Sequence, residues 1–305
     1  MDTPVIRHGA VRIFFGEKSG KYPDGNQVTV RGADTLAAFD TPLVANRLGG
    51  ELLDADLVVL GHVHEDHMAG LHRLRHAPLY VHEADVAAAR SWQGLARHYG
   101  YAPAVLGGMK AKIEREFHYA PRPDAQAYKD GASWDLGGGV TVRAIHMPGH
   151  TSGHCVLLVE PGGIAFIGDI DLSSFGPYYG DATSSLADFR RTLAGVRDIP
   201  AKVWVTSHHK GVITDRETFL VLLKAFASRL DVREEAIAQH LRRHPSTLAE
   251  LVAHRFVYPR DLDDLYYADA ERRTIEQHLE SLARAGRAKQ EDAAEGGRWR
   301  MARPG

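Results

Sequence analysis

With 305 residues, 44% of them hydrophobic and 25% charged, the chain is long enough to bury a full core as one large domain or two smaller ones. A formal charge of -2 gives no global electrostatic reason to bind nucleic acid or an anionic membrane, and no run approaches the roughly 18 apolar residues that span a bilayer. The single Cys155 excludes an intramolecular disulfide, and with an N-terminus that lacks a signal-peptide pattern it predicts a cytoplasmic protein.

Up to about residue 225, short β-rich runs alternate with helical stretches and Gly-rich turns. The pattern predicts strands over Val11 to Phe15 and Gln27 to Arg31, a helix over Asp40 to Leu48, and a strand over Leu57 to Leu60. A helix over His67 to Arg75, a strand over Leu79 to Val81 and a helix over Glu83 to Arg97 follow. Strands over Val140 to Ile145, Cys155 to Val159, Ile164 to Ile167 and Val203 to Val205 come next, with helices over Ser185 to Val196 and Thr214 to Leu230. "YPDGN", "DLGGG" and "EPGG" read as turns. "FFGEKSGKY" (14 to 22) imitates a phosphate loop, but Phe15 stands where the first Gly belongs and Tyr22 where Ser or Thr belongs.

From about residue 231 the character changes to "EEAIAQHLRRHP", a Ser-Thr-Leu helix start at 246, "ERRTIEQHLESLARAG" and a final run "GGRWRMA". Helix, helix, helix and a two-stranded wing is a winged-helix pattern. Residues 231 to 305 carry 13 Lys/Arg against 14 Asp/Glu, whereas a nucleic-acid reader shows a basic face. The expected division is 1–228 and 229–305, the second unit packing against the first or joining two copies as a homodimer.

The 18 histidines are the unusual number, and "GHVHEDHMAG" (61 to 70) concentrates three of them after an apolar strand. His62 and His64 are two residues apart, so in an extended segment both side chains point the same way and can grip one cation. Asp66 and His67 follow where the chain turns and can serve a second cation. Imidazoles with a nearby carboxylate suit zinc or a similar borderline metal. "HMPGHTSGH" offers His150, "FIGDIDL" offers Asp169 and "VWVTSHHKG" offers His208, each after another apolar strand. Strands of one sheet deliver such groups to a common edge.

This series of His-x-His-x-Asp-His, His in "PGHT", Asp in "GD" and a last His after a strand resembles the metallo-β-lactamase fold superfamily of metallohydrolases over about residues 5 to 225. The resemblance implies an α/β fold, an αββα sandwich with a small C-terminal winged-helix-like domain, and a dinuclear site of two divalent ions, zinc or else manganese or iron. It implies that His62, His64 and His150 hold the first metal, that Asp66, His67 and His208 hold the second, and that Asp169 bridges them. "TSHHKG" leaves His209 as the alternative to His208; Asp40 in "FDTP" is expected beneath the metals, and His146 and His154 as supports. Glu65 is expected to be an exposed loop carboxylate, and Tyr178 and Tyr179 either to cover substrate or to cap the core.

A water shared by two divalent cations loses a proton near neutral pH, which points to hydrolysis of an ester, thioester or lactone, small or carrier-bound, with Asp66 orienting the nucleophile. Two alternatives use the same motifs: a single-strand nuclease, and a sulfur dioxygenase with one iron on His64 or its neighbours, His150 and Asp169. Nucleic acid and membrane are not expected partners.

Overall fold

The computed structural model describes residues 3–260, 262, 264–291 and 297–302. Its first sheet has seven strands in sequential order: β1 (Val5–His8), β2 (Val11–Phe14), β3 (Gln27–Arg31), β4 (Leu36–Phe39), β5 (Leu57–Val59), β6 (Leu79–His82) and β7 (Gln126–Tyr128). β1 to β4 form an antiparallel meander, and β4 to β7 run parallel. The second sheet is ordered β13-β12-β11-β10-β9-β8, from β8 (Ser133–Asp135), β9 (Thr141–His146), β10 (Cys155–Glu160), β11 (Ile164–Phe166), β12 (Val203–Val205) and β13 (Val212–Ile213).

The period-2 alternation of these strands decides which faces meet. Ile13, Val28, Phe39 and Val59 lie opposite one another along the first sheet, and Val142, Val159 and Ile164 do so along the second. Both rows belong to the apolar layer between the sheets. Besides the short turns α1 (Glu17–Gly20) and α2 (Gly50–Leu53), the helices α3 (Val86–Arg90), α4 (Trp92–Tyr99) and α5 (Pro103–Glu116) cover the outer face of the first sheet. That of the second is covered by α6 (Leu186–Gly195) and the start of α7 (Arg216–Arg243). The result is an α/β sandwich of two helical layers around two sheets. The end of α7 packs with α8 (Leu248–His254), α9 (Tyr267–Arg284) and the ribbon β14 (Ala288–Glu291) and β15 (Arg298–Met301) around a separate apolar cluster.

Several helices differ from the sequence expectation, for local reasons. Residues 40 to 48 form only a 3-10 turn, Leu43–Arg47, because the Val44 amide is drawn to the Asp24 carboxylate at 2.7 Å. In place of the helix expected over 67 to 75 stand two single turns, Glu65–His67 and Leu71–Arg73, since the His67 carbonyl and Gly70 amide pair with Thr41 across the chain instead of along a helix. The expected helix 83 to 97 breaks at Ser91, which is fully extended and caps α4 through the Gly94 amide. α5 was hidden by Gly107 and Gly108, poor helix formers in mid-segment. α7 runs unbroken past residue 230 to Arg243, so the boundary expected between 228 and 229 falls inside one helix. Among the described residues, no helix is long and apolar enough to cross a membrane.

Trp204 on β12 lies flat on Phe219 of α7, ring centroids 4.3 Å apart, with both side chains buried. Trp204→Ala is expected to destabilise the fold by about 3–5 kcal/mol, the usual cost of deleting a buried large aromatic. Urea denaturation measures it; a loss below about 1 kcal/mol would show that this junction does not hold the helix.

Candidate metal centre

The strands that precede the candidate ligands end at one edge. β4 and β5 run parallel, delivering Asp40 and the 61–67 segment; β9, β11 and β12 share a direction and deliver His150, Asp169 and His208. Gly168 turns the chain after β11 with φ +55, and a Cβ there would lie 2.7 Å from His154 Nε2, so the glycine in "GD" is required twice over.

All seven residues expected from the sequence come together. His62, His64 and His150 form one group: His150 Nε2 lies 3.1 Å from both His62 Nε2 and His64 Nδ1. Asp66, His67 and His208 form another, with His208 Nε2 3.1 Å from Asp66 Oδ2. Asp169 stands between them, its carboxylate 3.5 Å from His150 Nε2, 3.2 Å from His67 Nε2 and 3.5 Å from His208 Nε2. His209 turns away with φ +57 toward Asp171 at 3.6 Å and is partly exposed, whereas His208 is buried.

Ring nitrogens facing away from the centre are tied down in four of the five histidines. His64 Nε2 meets Asp181 Oδ2 at 2.7 Å, His67 Nδ1 meets Asp40 Oδ2 at 2.7 Å, and His150 Nδ1 meets the Tyr178 carbonyl at 3.0 Å. His208 Nδ1 donates to the Gly20 and Asp24 carbonyls, at 2.8 and 2.9 Å. A proton fixed on the outer nitrogen leaves a lone pair on the inner one, which is how metal-binding histidines are oriented. The loop that failed as a phosphate motif is thus the support of His208.

Inside, His67 Nε2 and Asp169 Oδ1 are buried and face each other at 3.2 Å without a well-directed hydrogen bond to any group. Orphaned buried groups of this kind are costly unless something satisfies them. Inner nitrogens about 3.1 Å apart also match donors around one tetrahedral zinc, whose bonds of about 2.0–2.1 Å place ligand atoms roughly 3.3 Å apart. The titrating groups of the first cluster divide: burial opposes charging of His64, yet the Asp181 carboxylate raises it to about 9, so a metal would have to displace its proton. Burial drives His150 down to about 3, despite the nearby Asp169, so its imidazole is neutral and free to ligate. In the other group burial opposes charging, yet Asp169 and Asp66 pull His208 up to about 10: these carboxylates demand positive charge beside them. The residues fit divalent metal.

Sequence reasoning missed part of the support. Asp85, fully buried, accepts from Thr151 Oγ1 at 2.6 Å and from the Gly153 amide at 2.8 Å, fixing the His150 loop. Glu65 is not the exposed carboxylate expected: it is buried and held by Tyr22 and Tyr99 hydroxyls at 3.1 and 2.5 Å. His146 bonds the Ser152 carbonyl and His154 the Met147 carbonyl, so both act as supports as expected. Cys155 is buried and its thiol is pushed up to about 12 by burial, which removes it as a nucleophile.

The Metallo-beta-lactamase superfamily profile matches residues 31–221, more than half of the sequence. The chain belongs to this superfamily, and its His/Asp groups could hold metal ions. Similar solved structures include a metallo-beta-lactamase family protein of Thermus thermophilus, 24% identical with TM-score 0.66, covering 91% of this chain and 94% of that one. A beta-lactamase domain protein of Burkholderia ambifaria is 20% identical with TM-score 0.69, covering 99% and 94%. A curated relative, an atrochrysone carboxyl ACP thioesterase of Pseudocercospora fijiensis (strain CIRAD86), is 26% identical over 202 residues, 63% of this chain. The chain spans 55% of that relative's length.

Asp40→Asn keeps the shape of the group under His67 but loses the carboxylate that orients it. We expect metal affinity to fall about 10–100-fold with the fold retained, read by chelator competition and circular dichroism; unchanged affinity would remove Asp40 from the support of the site.

Proposed function

We propose that the chain hydrolyses an ester, thioester or lactone, small or carrier-bound, with two divalent ions, zinc in the first instance. His62, His64 and His150 would hold one ion, Asp66, His67 and His208 the other, and Asp169 would bridge them. The observation that carries this reading is the Asp169 carboxylate, within 3.2–3.5 Å of inner nitrogens from both groups. When bound, such ions supply an activated water and polarise the carbonyl under attack. The chain's own part is to exclude bulk water, since every proposed ligand except Asp169 is below one-tenth exposed, and to hold the outer nitrogens of four histidines so that the inner ones face the metals. Asp66 is the group we assign to orient the attacking water and take its proton. The thioesterase relative supports an acyl substrate over a phosphodiester.

We also propose two units, a catalytic domain of residues 1–228 and a winged-helix-like unit of 229–305 that share α7. In a winged helix α9 would be the reading helix. Here Gln277 and His278 of α9 bond Tyr179 of the other unit, and the tail lacks excess positive charge, which supports a role within the enzyme rather than on nucleic acid.

Elemental mass spectrometry of the purified protein, beside Asp169→Ala, tests the reading. Two zinc or manganese per wild-type chain, with at least one lost in the variant, is the expected outcome, followed by cleavage of an acyl-thioester and lactone panel. About one iron per chain with oxygen consumption would replace the hydrolase by an oxygen-using enzyme.

A further inference from the structure

The loop from Ser173 to Ser184 runs between the metal centre and the C-terminal helices, and its two sides are divided between them. On the metal side, the Tyr178 carbonyl holds His150 Nδ1, and Asp181 holds His64 Nε2. Asp181 is wholly buried and also accepts from the hydroxyls of Tyr101 and Tyr178, at 2.5 and 2.9 Å. Ser184 Oγ donates to the His150 carbonyl at 2.6 Å. This one loop therefore fixes two of the three histidines in the first group.

The other side is gripped from the tail. Arg233, in the second half of α7 and 3% exposed, donates to the carbonyls of Phe175 and Pro177 and lies over the rings of Phe175 and Tyr179, at 4.9 and 5.5 Å. Gln277 of α9 donates to the Tyr179 carbonyl at 2.9 Å and accepts from the Leu186 amide at 2.6 Å; Tyr179 Oη meets His278 Nε2 at 2.8 Å. Gly176, with φ +86, lets the loop pass so close to α7 that a Cβ would lie 2.4 Å from that of Arg229.

The geometry points to Arg233 as a positioning residue for the first metal group, acting through this loop, with Gln277 as its second anchor. The C-terminal unit thereby forms part of the metal site's support. A buried guanidinium spending two donors on the Phe175 and Pro177 carbonyls of one loop fixes that loop's path more firmly than apolar packing can, because moving it leaves a buried charge without partners. The second group, Asp66, His67 and His208, hangs on Asp40, Gly20 and Asp24 and receives nothing from this loop. Loss of Arg233 should thus be felt by one ion only.

The inference rests on the metal reading of the site, and the test separates the two. Zinc affinities of the full-length wild type are measured first by chelator competition; absence of zinc binding would overturn the metal reading itself. Against a wild type that binds two ions, Arg233→Met is expected to weaken one ion about 10-fold or more and to leave the other within about 2-fold, well below the unfolding temperature. Arg233→Lys, which keeps one donor, should recover part of the loss. Because both residues act through the same loop, Arg233→Met combined with Asp181→Asn should weaken the ion by less than the product of the two single effects. Unchanged affinity for both ions, equal weakening of both, or fully multiplicative effects with Asp181→Asn would each overturn the proposal. Should Arg233→Met not fold, Gln277→Leu is measured in its place against the same outcomes.

Discussion

Everything in this molecule turns on holding inward-facing imidazoles and carboxylates close together in a space largely closed to water. Inner nitrogens approach to 3.1 Å, and two aspartates share the pocket with them. Bare lone pairs at these separations repel, so the arrangement needs positive charge among the donors, from protons on His67 and His208 or from a bound cation, and rigid anchors that hold the rings from outside. The anchors are visible: carbonyls of Gly20, Asp24 and Tyr178, and carboxylates of Asp40 and Asp181. None of them comes from the segment whose histidine it holds.

That requirement explains the sandwich better than core packing alone does. Two sheets facing each other end at one rim, and each strand end contributes one short, nearly inextensible connection to it. Part of the backbone irregularity lies at the same rim. Asp40, Leu172 and His209 adopt positive φ without being glycine, and Asp40 uses that geometry to accept from the Gly61 amide and from His67 together. Strain of this kind, of order 1–3 kcal/mol per residue, persists only where surrounding structure overdetermines it. Here the buried hydrogen bonds on both oxygens of Asp40 do so.

The donors were legible in the sequence because each combines a chemically distinctive side chain with a preceding apolar strand. His62, His64, Asp66, His67, His150, Asp169 and His208 all carry that signature, and the structure brings them to one edge. All eight strands expected from periodicity are present, to within a residue or two at their ends. What stayed hidden has no local signature. Asp181 looks like any acidic residue after glycine, and Asp85 like any helix-start aspartate; both matter only because the fold places them behind a histidine or under its loop. Short helices failed for a related reason: at residues 67 to 75 the backbone groups a helix would use are claimed by Thr41, a partner no window of neighbouring residues contains.

α7 ties these observations together. Its first half buries Phe219, Leu223 and Phe226 against the second sheet, and its second half buries Ile237, Ala238 and Leu241 in the C-terminal cluster. A helix shared between two cores transmits displacement as a rigid rod, since bending it costs hydrogen bonds along its length. Arg233 sits between these two buried stretches, where such a rod meets the Ser173–Ser184 loop. A tail joined by a flexible linker could drift without consequence for the metal edge; one that continues a core helix cannot. The continuity of α7 ties the C-terminal unit to the loop that holds His64 and His150.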